Sequence, residues 1–379
     1  MQKPRAELLQ NLAMPVALVA VCGFFAFRES TFLGSRNLTQ LIVEFSITGT
    51  LALGMFMILL TGQIDLSVGS GVGLIGGIAA VLVFHHAWSA PLALLAAFAV
   101  AVLLWSLMGT LIVRQRIPSF IITLGGLLIF KGLFWLVIEN STVPVSRGIE
   151  DNVYALLTTY YLPRYAGLAI AALVLVLLGV TAWLSRAARR KHGLPVASTA
   201  KTLLIWGACA GAVLGLVAVC NAFRGVPLTL LVLSATAGAV YFLTRQTPFG
   251  RYLYAIGGNE EAAVLSGIPV NRVLIGAYAL MGVTVALTGF MTTAYAGAST
   301  TTVGDLMELD AIAACVIGGT ALRGGRGSVA GVIFGALIMT ALLNGMTLLA
   351  VSPEAKFIAR GVVLTLAVWM DVGFRRANT

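Results

Sequence analysis

The sequence predicts an all-α, polytopic membrane protein, and three observations carry that prediction. Of 379 residues, 59% are apolar and 10% charged, whereas a soluble chain is about half apolar and about one-quarter charged. Uncharged runs of sixteen residues or more recur from end to end. The longest polar connections, 139–165 and 244–271, have only 27 and 28 residues, too few for a core of their own. A water-soluble enzyme, a disordered chain and a disulfide scaffold are thereby excluded. A single membrane domain over 1–379 remains, so soluble machinery has to come from other subunits.

The spans follow in order. Lys3 and Arg5 precede an apolar run from Leu12 to Phe27. It has the layout of a signal peptide, but no small-x-small cleavage site follows, so it reads as an uncleaved first span. Apolar segments then lie near 41–60, 66–84, 92–113, 117–138, 166–184, 202–222, 226–243, 272–296, 328–350 and 356–370. Each is close to the ~20 residues that a helical crossing takes. A Gly-interrupted piece near 306–322 is shorter; counting it gives twelve crossings, omitting it eleven.

Charge decides between the two counts, because Lys and Arg concentrate on the cytoplasmic side. With twelve crossings and the N-terminus inside, the inner connections hold 16 basic residues, the outer ones 7, and Lys131 lies within a span, which accounts for all 24. Eleven crossings would put Arg375 and Arg376 outside. Twelve crossings with both ends cytoplasmic is therefore the expectation. Glu139, Glu150, Asp151, Asp305, Glu308 and Asp310 then fall on the outer face.

Two halves echo each other. Gly69, Gly73 and Gly77 recur every four residues in the third span after Ser67, as do Gly327, Gly331 and Gly335 around Ser328 in the eleventh. Such stripes let backbones approach closely. Ordinary helix packing explains them; a pair of gate-lining helices from two pseudo-repeated halves is the sharper reading.

Several chemistries lack their residues. None of the five lysines follows a glycine, so there is no P-loop to hold ATP phosphates. His85, His86 and His192 have no metal-ligand spacing, and Gly-x-Ser-x-Gly has no match. Cys22, Cys209, Cys220 and Cys315 sit in or beside apolar runs as small fillers. No catalytic, cofactor or metal site is expected, and the net charge of +10 follows from topology and not from nucleic acid.

One inner loop stands apart, running from Arg251 through Gly257, Gly258, Asn259, Glu260, Glu261, Ala262, Ala263, Leu265, Ser266 and Gly267 to Pro269. Asn259 is a good N-cap, Glu260 and Glu261 oppose the helix dipole, and Gly267 is suited to the C-cap. A lone two-turn helix is unstable in water, so it packs either on its own bundle or in a groove of a soluble partner. The missing P-loop favours the partner.

At these residues the chain resembles the permease subunits of bacterial ATP-binding cassette importers for monosaccharides, closest to the D-xylose type. The resemblance rests on Thr61-Gly-Gln-Ile-Asp-Leu-Ser-Val-Gly-Ser70, Ile117-Pro-Ser-Phe-Ile-Ile-Thr-Leu124, Tyr254 to Ile268, Glu308 to Thr320, and Ala367 to Asp371, and it covers nearly the whole chain. It implies a homodimer of permeases in the bacterial inner membrane, cytoplasmic ATPase subunits that bind ATP and Mg, and a periplasmic sugar-binding protein. It also implies a coupling helix at 259–266 within loop 244–271, and an added helical hairpin at about 166–222. Val264 departs from relatives that often carry a basic residue at that position.

Other residues divide between plain and functional readings. Asp65 serves as N-cap of the third helix, with a gating role beside Ser67, Gly69 and Gly73 built on the same geometry. Ser119, Phe120 and Thr123, at the start of the fifth span, are candidates to line a weakly polar pathway. Glu44 and Lys131 lie within spans, where charge is expensive unless paired. They support the alternative of a proton-coupled secondary transporter, but near-interface placement accounts for both, and no carboxylate is expected deep in a span.

Overall fold

Proline and apolar periodicity set where the helices of this chain begin and what they bury. The computed structural model describes residues 3–148, 152–194 and 198–376. In chain order these are α1 (Lys3–Arg28), α2 (Ser35–Leu60), α3 (Val68–Phe84), α4 (Ala90–Gln115), α5 (Ser119–Val137), β1 (Val143–Pro144), α6 (Val153–Thr159), β2 (Tyr161–Leu162), α7 (Arg164–Lys191), α8 (Thr199–Asn221), β3 (Val226–Pro227) and α9 (Leu228–Gln246). The rest are α10 (Pro248–Gly258), α11 (Glu260–Leu265), α12 (Val270–Ala296), β4 (Ala298–Ser299), α13 (Met307–Ile317), α14 (Val329–Leu348) and α15 (Pro353–Arg376). Pro118, Pro163, Pro227 and Pro269 stand immediately before α5, α7, α9 and α12. Their fixed φ and missing N–H suit a helix start and would break its interior.

The fold is helical, as expected, with two small additions: β1 pairs antiparallel with β4, and β2 with β3. Eight helices among the described residues are long and apolar enough to cross a membrane: α2, α4, α5, α7, α8, α9, α12 and α14. α2 forms the centre. Its second half, Leu51 to Leu60, is apolar on every face and buried throughout, as befits a helix packed all round. α12, α14, α9 and α13 surround it.

The segment near 306–322 is not one continuous helical span. Leu306 takes the left-handed conformation at φ 63°, so α13 begins only at Met307, and Gly318 with Gly319 (φ 80°) end it. Its 11 residues rise only about 16 Å, half a bilayer. The chain around it still passes through the bundle. Ala298 pairs with Pro144 at the end where Arg147 caps the Phe84 and His85 carbonyls, whereas Gly325 donates to the Leu60 carbonyl at the other end. Turns followed by a half-helix complete this pass, and shorter apolar helices at Met14–Arg28 and Val68–Phe84 accompany the eight long ones.

Both glycine stripes flank that broken pass. A Cβ on Gly69 would overlap the Glu308 carboxylate and stand 2.6 Å from the Gly304 carbonyl oxygen, while one on Gly331 would overlap the Gly318 carbonyl. Gly327 does not belong to the second stripe: α14 begins at Val329, with Ser328 capping it through Gly331 N–H at 3.1 Å.

The same descent revises the acidic residues. Glu308 and Asp310 were expected on the outer face, yet both are buried. The turns at 300–306 carry them inward, and Arg360 of α15 follows to meet Asp310, so Arg360 is not in an outer connection. Glu150 and Asp151 lie outside the described residues, and the side chains of 370–376 are not described.

Candidate functional site

Two regions collect the residues singled out in the sequence. On the inner face, Thr247 opens α10, with its hydroxyl accepting from Gly250 N–H at 3.4 Å. Asn259 ends α10 and starts α11: its extended backbone (φ −161°) turns the chain, and its side-chain oxygen accepts from Ala262 N–H at 2.9 Å. α11 closes with Gly267 N–H on Val264 O at 3.0 Å and Ile268 N–H on Ala263 O at 3.1 Å, while Gly267 sits at φ +77°. This double bond around a left-handed glycine is a Schellman closure, so the expected cap at each end is present.

This unit is fastened to the bundle by backbone more than by side chains. A Cβ on Gly257 would overlap the Leu60 carbonyl and stand 2.5 Å from Gly325 N; Gly258, next to it, meets nothing. Tyr254 donates its hydroxyl to the Gly327 carbonyl at 3.0 Å. Ala263 is the one side chain of α11 that is buried. Glu260, Glu261, Ala262, Val264, Leu265 and Ser266 all face outward, with Leu265 89% exposed. α11 therefore offers water a surface of two carboxylates beside two aliphatic side chains.

The second region is the crossover 61–67 between α2 and α3. Asp65 does not cap α3, as had been expected; Ser67 holds the N-cap position and bonds no N–H of the first turn. The crossover leaves Asp65 two residues too early. Its Oδ1 accepts from Ser67 N–H at 2.9 Å and Ser67 Oγ at 2.6 Å, an Asx turn, and its Oδ2 accepts from Trp105 Nε1 at 2.7 Å. Ser119 Oγ accepts from Ile64 N–H at 3.2 Å, and Thr123 Oγ1 donates to Ile64 O at 3.2 Å. Ser119 and Thr123 thus tie α5 to the crossover from buried positions, whereas Phe120 lies on the open face of α5. Gly69 and Gly73 stand one turn further along α3, against Gly304 and Val303.

Contrary to the sequence expectation, carboxylates do lie deep in this bundle: Asp65, Glu308 and Asp310 are all buried. Asp65 is satisfied as described, and Asp310 takes both guanidinium arms of Arg360 at 2.9 and 3.1 Å. Glu44 accepts from Tyr295 Oη at 3.0 Å and Asn344 Nδ2 at 3.2 Å, while Lys131 pairs with Asp305 and donates to Thr301 O at 2.8 Å. Among the described residues no cluster has the composition of a metal site.

Sequence reasoning missed α6. Asn152 caps it through Ala155 N–H at 3.0 Å, and its buried Tyr154 donates to the Gly76 carbonyl at 2.9 Å. The signal was there, an Asn followed by Val-Tyr-Ala-Leu-Leu inside a polar connection.

Residues 37–368 match the family model described as branched-chain amino acid transport system / permease component. The chain belongs to that permease family. The xylose transport system permease protein of Escherichia coli (strain K12) is 39% identical over 374 residues, 98% of this chain and 93% of that protein. The corresponding protein of Haemophilus influenzae is 37% identical over 99% of this chain and all of its own length. The ribose import permease protein of Escherichia coli (strain K12) is 30% identical over 97% and 95%. No solved structure matches.

As a permease component, the chain is a multi-pass inner-membrane subunit of an ATP-binding cassette importer. ATP hydrolysis belongs to a separate subunit, and a periplasmic binding protein supplies the cargo. The permease is not itself an enzyme.

Proposed function

We propose that this permease forms the membrane pathway for a monosaccharide, D-xylose, and that α11 receives the stroke of the ATPase subunit. One observation carries the coupling part: α10 and α11 are seated on the bundle through Gly257, Tyr254 and Ala263, yet α11 turns Val264 and Leu265 into water. Burying those two side chains in a partner groove is worth roughly 1.5–3 kcal/mol each. Because the rear contact is backbone on backbone at Leu60 and Gly325, a push on α11 reaches the ends of α2 and of the broken pass together.

The sugar assignment rests on the full-length similarity to xylose permeases. Two copies would meet across the open face of α5, where Phe120, Leu124 and Leu128 are exposed, with the pathway between them. Asp65, Ser67, Gly69 and Gly73 would hold the gate behind that face. Reconstitution tests the whole reading. The chain alone should not accumulate xylose, and addition of ATPase and binding protein should give ATP-dependent uptake. Uptake by the lone chain under a proton gradient would overturn it.

A further inference from the structure

The α7–α8 hairpin is anchored at one end only. Near the outer face, Ala171, Val217 and Cys220 pack with Ile42, Leu162 and Val226, and β2–β3 closes the same end. Further in, the helices still touch where Trp206 Nε1 donates to the Leu175 carbonyl at 3.3 Å, beside Gly179. Below that contact they part, and a cavity of about 690 Å³ opens between them.

Its walls are two helical stripes. Gly179, Trp183, Arg186 and Arg190 recur along one face of α7, and Thr199, Thr202, Leu203 and Trp206 along the facing side of α8. The apex is small and aromatic and the mouth is basic. Arg186 donates one N–H to Thr199 Oγ1 at 3.0 Å, which leaves most of its five donors unused. The Arg190 carbonyl accepts from Gly193 N–H at 3.2 Å, but its guanidinium has no hydrogen bond or ion pair among the described residues. The chain offers no counter-charge nearby in sequence, since 164–221 contains no Asp or Glu.

The mouth faces the cytoplasmic leaflet, where basic grooves between helices attract anionic headgroups. Arg186 and Arg190, one turn apart, suit a phosphodiester. Leu203 and Trp183 are exposed above them, at the depth of acyl chains. A water-soluble anion would use the arginines but leave this apolar part of the cleft unfilled.

We propose that the groove binds one anionic phospholipid, its phosphodiester on Arg186 and Arg190 and an acyl chain against Trp183 and Leu203 up to Gly179. The full chain, purified in detergent, is titrated with phosphatidylglycerol, with phosphatidylcholine and with inorganic phosphate, and bound lipid is counted by native mass spectrometry. At least a tenfold preference for phosphatidylglycerol over phosphatidylcholine is expected. It should vanish in R186Q/R190Q and survive in R186K/R190K, which keeps the charge and reports that the hairpin is intact. Equal retention of the two lipids, an unchanged preference in R186Q/R190Q, or displacement of the lipid by millimolar phosphate would overturn the proposal.

Discussion

Trp105 donates its indole N–H to Asp65 at 2.7 Å, with both side chains wholly buried. The bond joins the middle of α4 to the crossover between α2 and α3, while Ser67 occupies the other carboxylate oxygen. A buried carboxylate is tolerable only when its lone pairs are taken, and here three donors take them. This arrangement fixes where α3 starts, and hence where Gly69 meets Gly304.

Removing one donor should therefore be milder than removing the acceptor. Trp105→Phe loses one hydrogen bond to a charged group, about 1.5–3 kcal/mol. Asp65→Ala strands the Trp105 and Ser67 donors together and should cost more. Thermal unfolding of the purified chain checks the order; equal melting temperatures for both variants and the parent would refute it.

The extent to which this was legible in sequence differs by residue. Asn259 and Gly267 are legible because capping is local: Asn259 accepts from Ala262 N–H and Gly267 N–H donates to the Val264 carbonyl, each three residues away. The long spans are legible for the same reason, apolar length being a local property. Asp65 was misjudged because its decisive partner, Trp105, is 40 positions away. Glu308 and Asp310 looked like outer-loop acids since only the tertiary descent of 300–306 draws them inside, and nothing local marks Arg360 as a partner of Asp310. Gly257 lies in α10, just ahead of α11, and its tight contact with Leu60 is not legible in sequence because the partner is almost 200 positions away.

Gly257 and Gly258 make a controlled pair. A methyl on Gly257 collides with backbone at Leu60 and Gly325, whereas one on Gly258 meets open space. Gly257→Ala should lower stability by about 1–3 kcal/mol, the usual cost of overpacking, and weaken ATP-driven uptake. Gly258→Ala should leave both near the parent value. Thermal unfolding and transport in the same preparation separate the two.

Arg360 and Asp310 share a bidentate contact in which the carboxylate is buried and the guanidinium only partly so. Arg360→Ala abandons a buried charge and should destabilise by about 3–5 kcal/mol. Arg360→Lys keeps the charge but loses the fork and should recover only part of that. Arg360→Gln with Asp310→Asn, which removes both charges, should be more stable than Arg360→Ala alone. Yield and melting temperature in detergent read the series, and a double variant no better than Arg360→Ala would point away from the ion pair.

Leu265 gives the cleanest separation of coupling from folding. With 89% of its surface in water, it contributes almost nothing to the isolated permease, and Leu265→Asp should leave the melting temperature unchanged. If the ATPase grips α11, the same change places a charge where an apolar groove closes. The loss of a buried leucine alone is worth about 1.5–3 kcal/mol, or roughly tenfold to a hundredfold in affinity. Uptake by the complete importer should fall accordingly, and so should stimulation of ATP hydrolysis by the loaded binding protein. Glu261→Arg reverses charge on the same exposed surface without touching the Asn259 cap, so it should weaken assembly while α11 still forms. Full stimulation in both variants would mean that the ATPase docks elsewhere, and the close seat of Gly257 on Leu60 would then be mere packing.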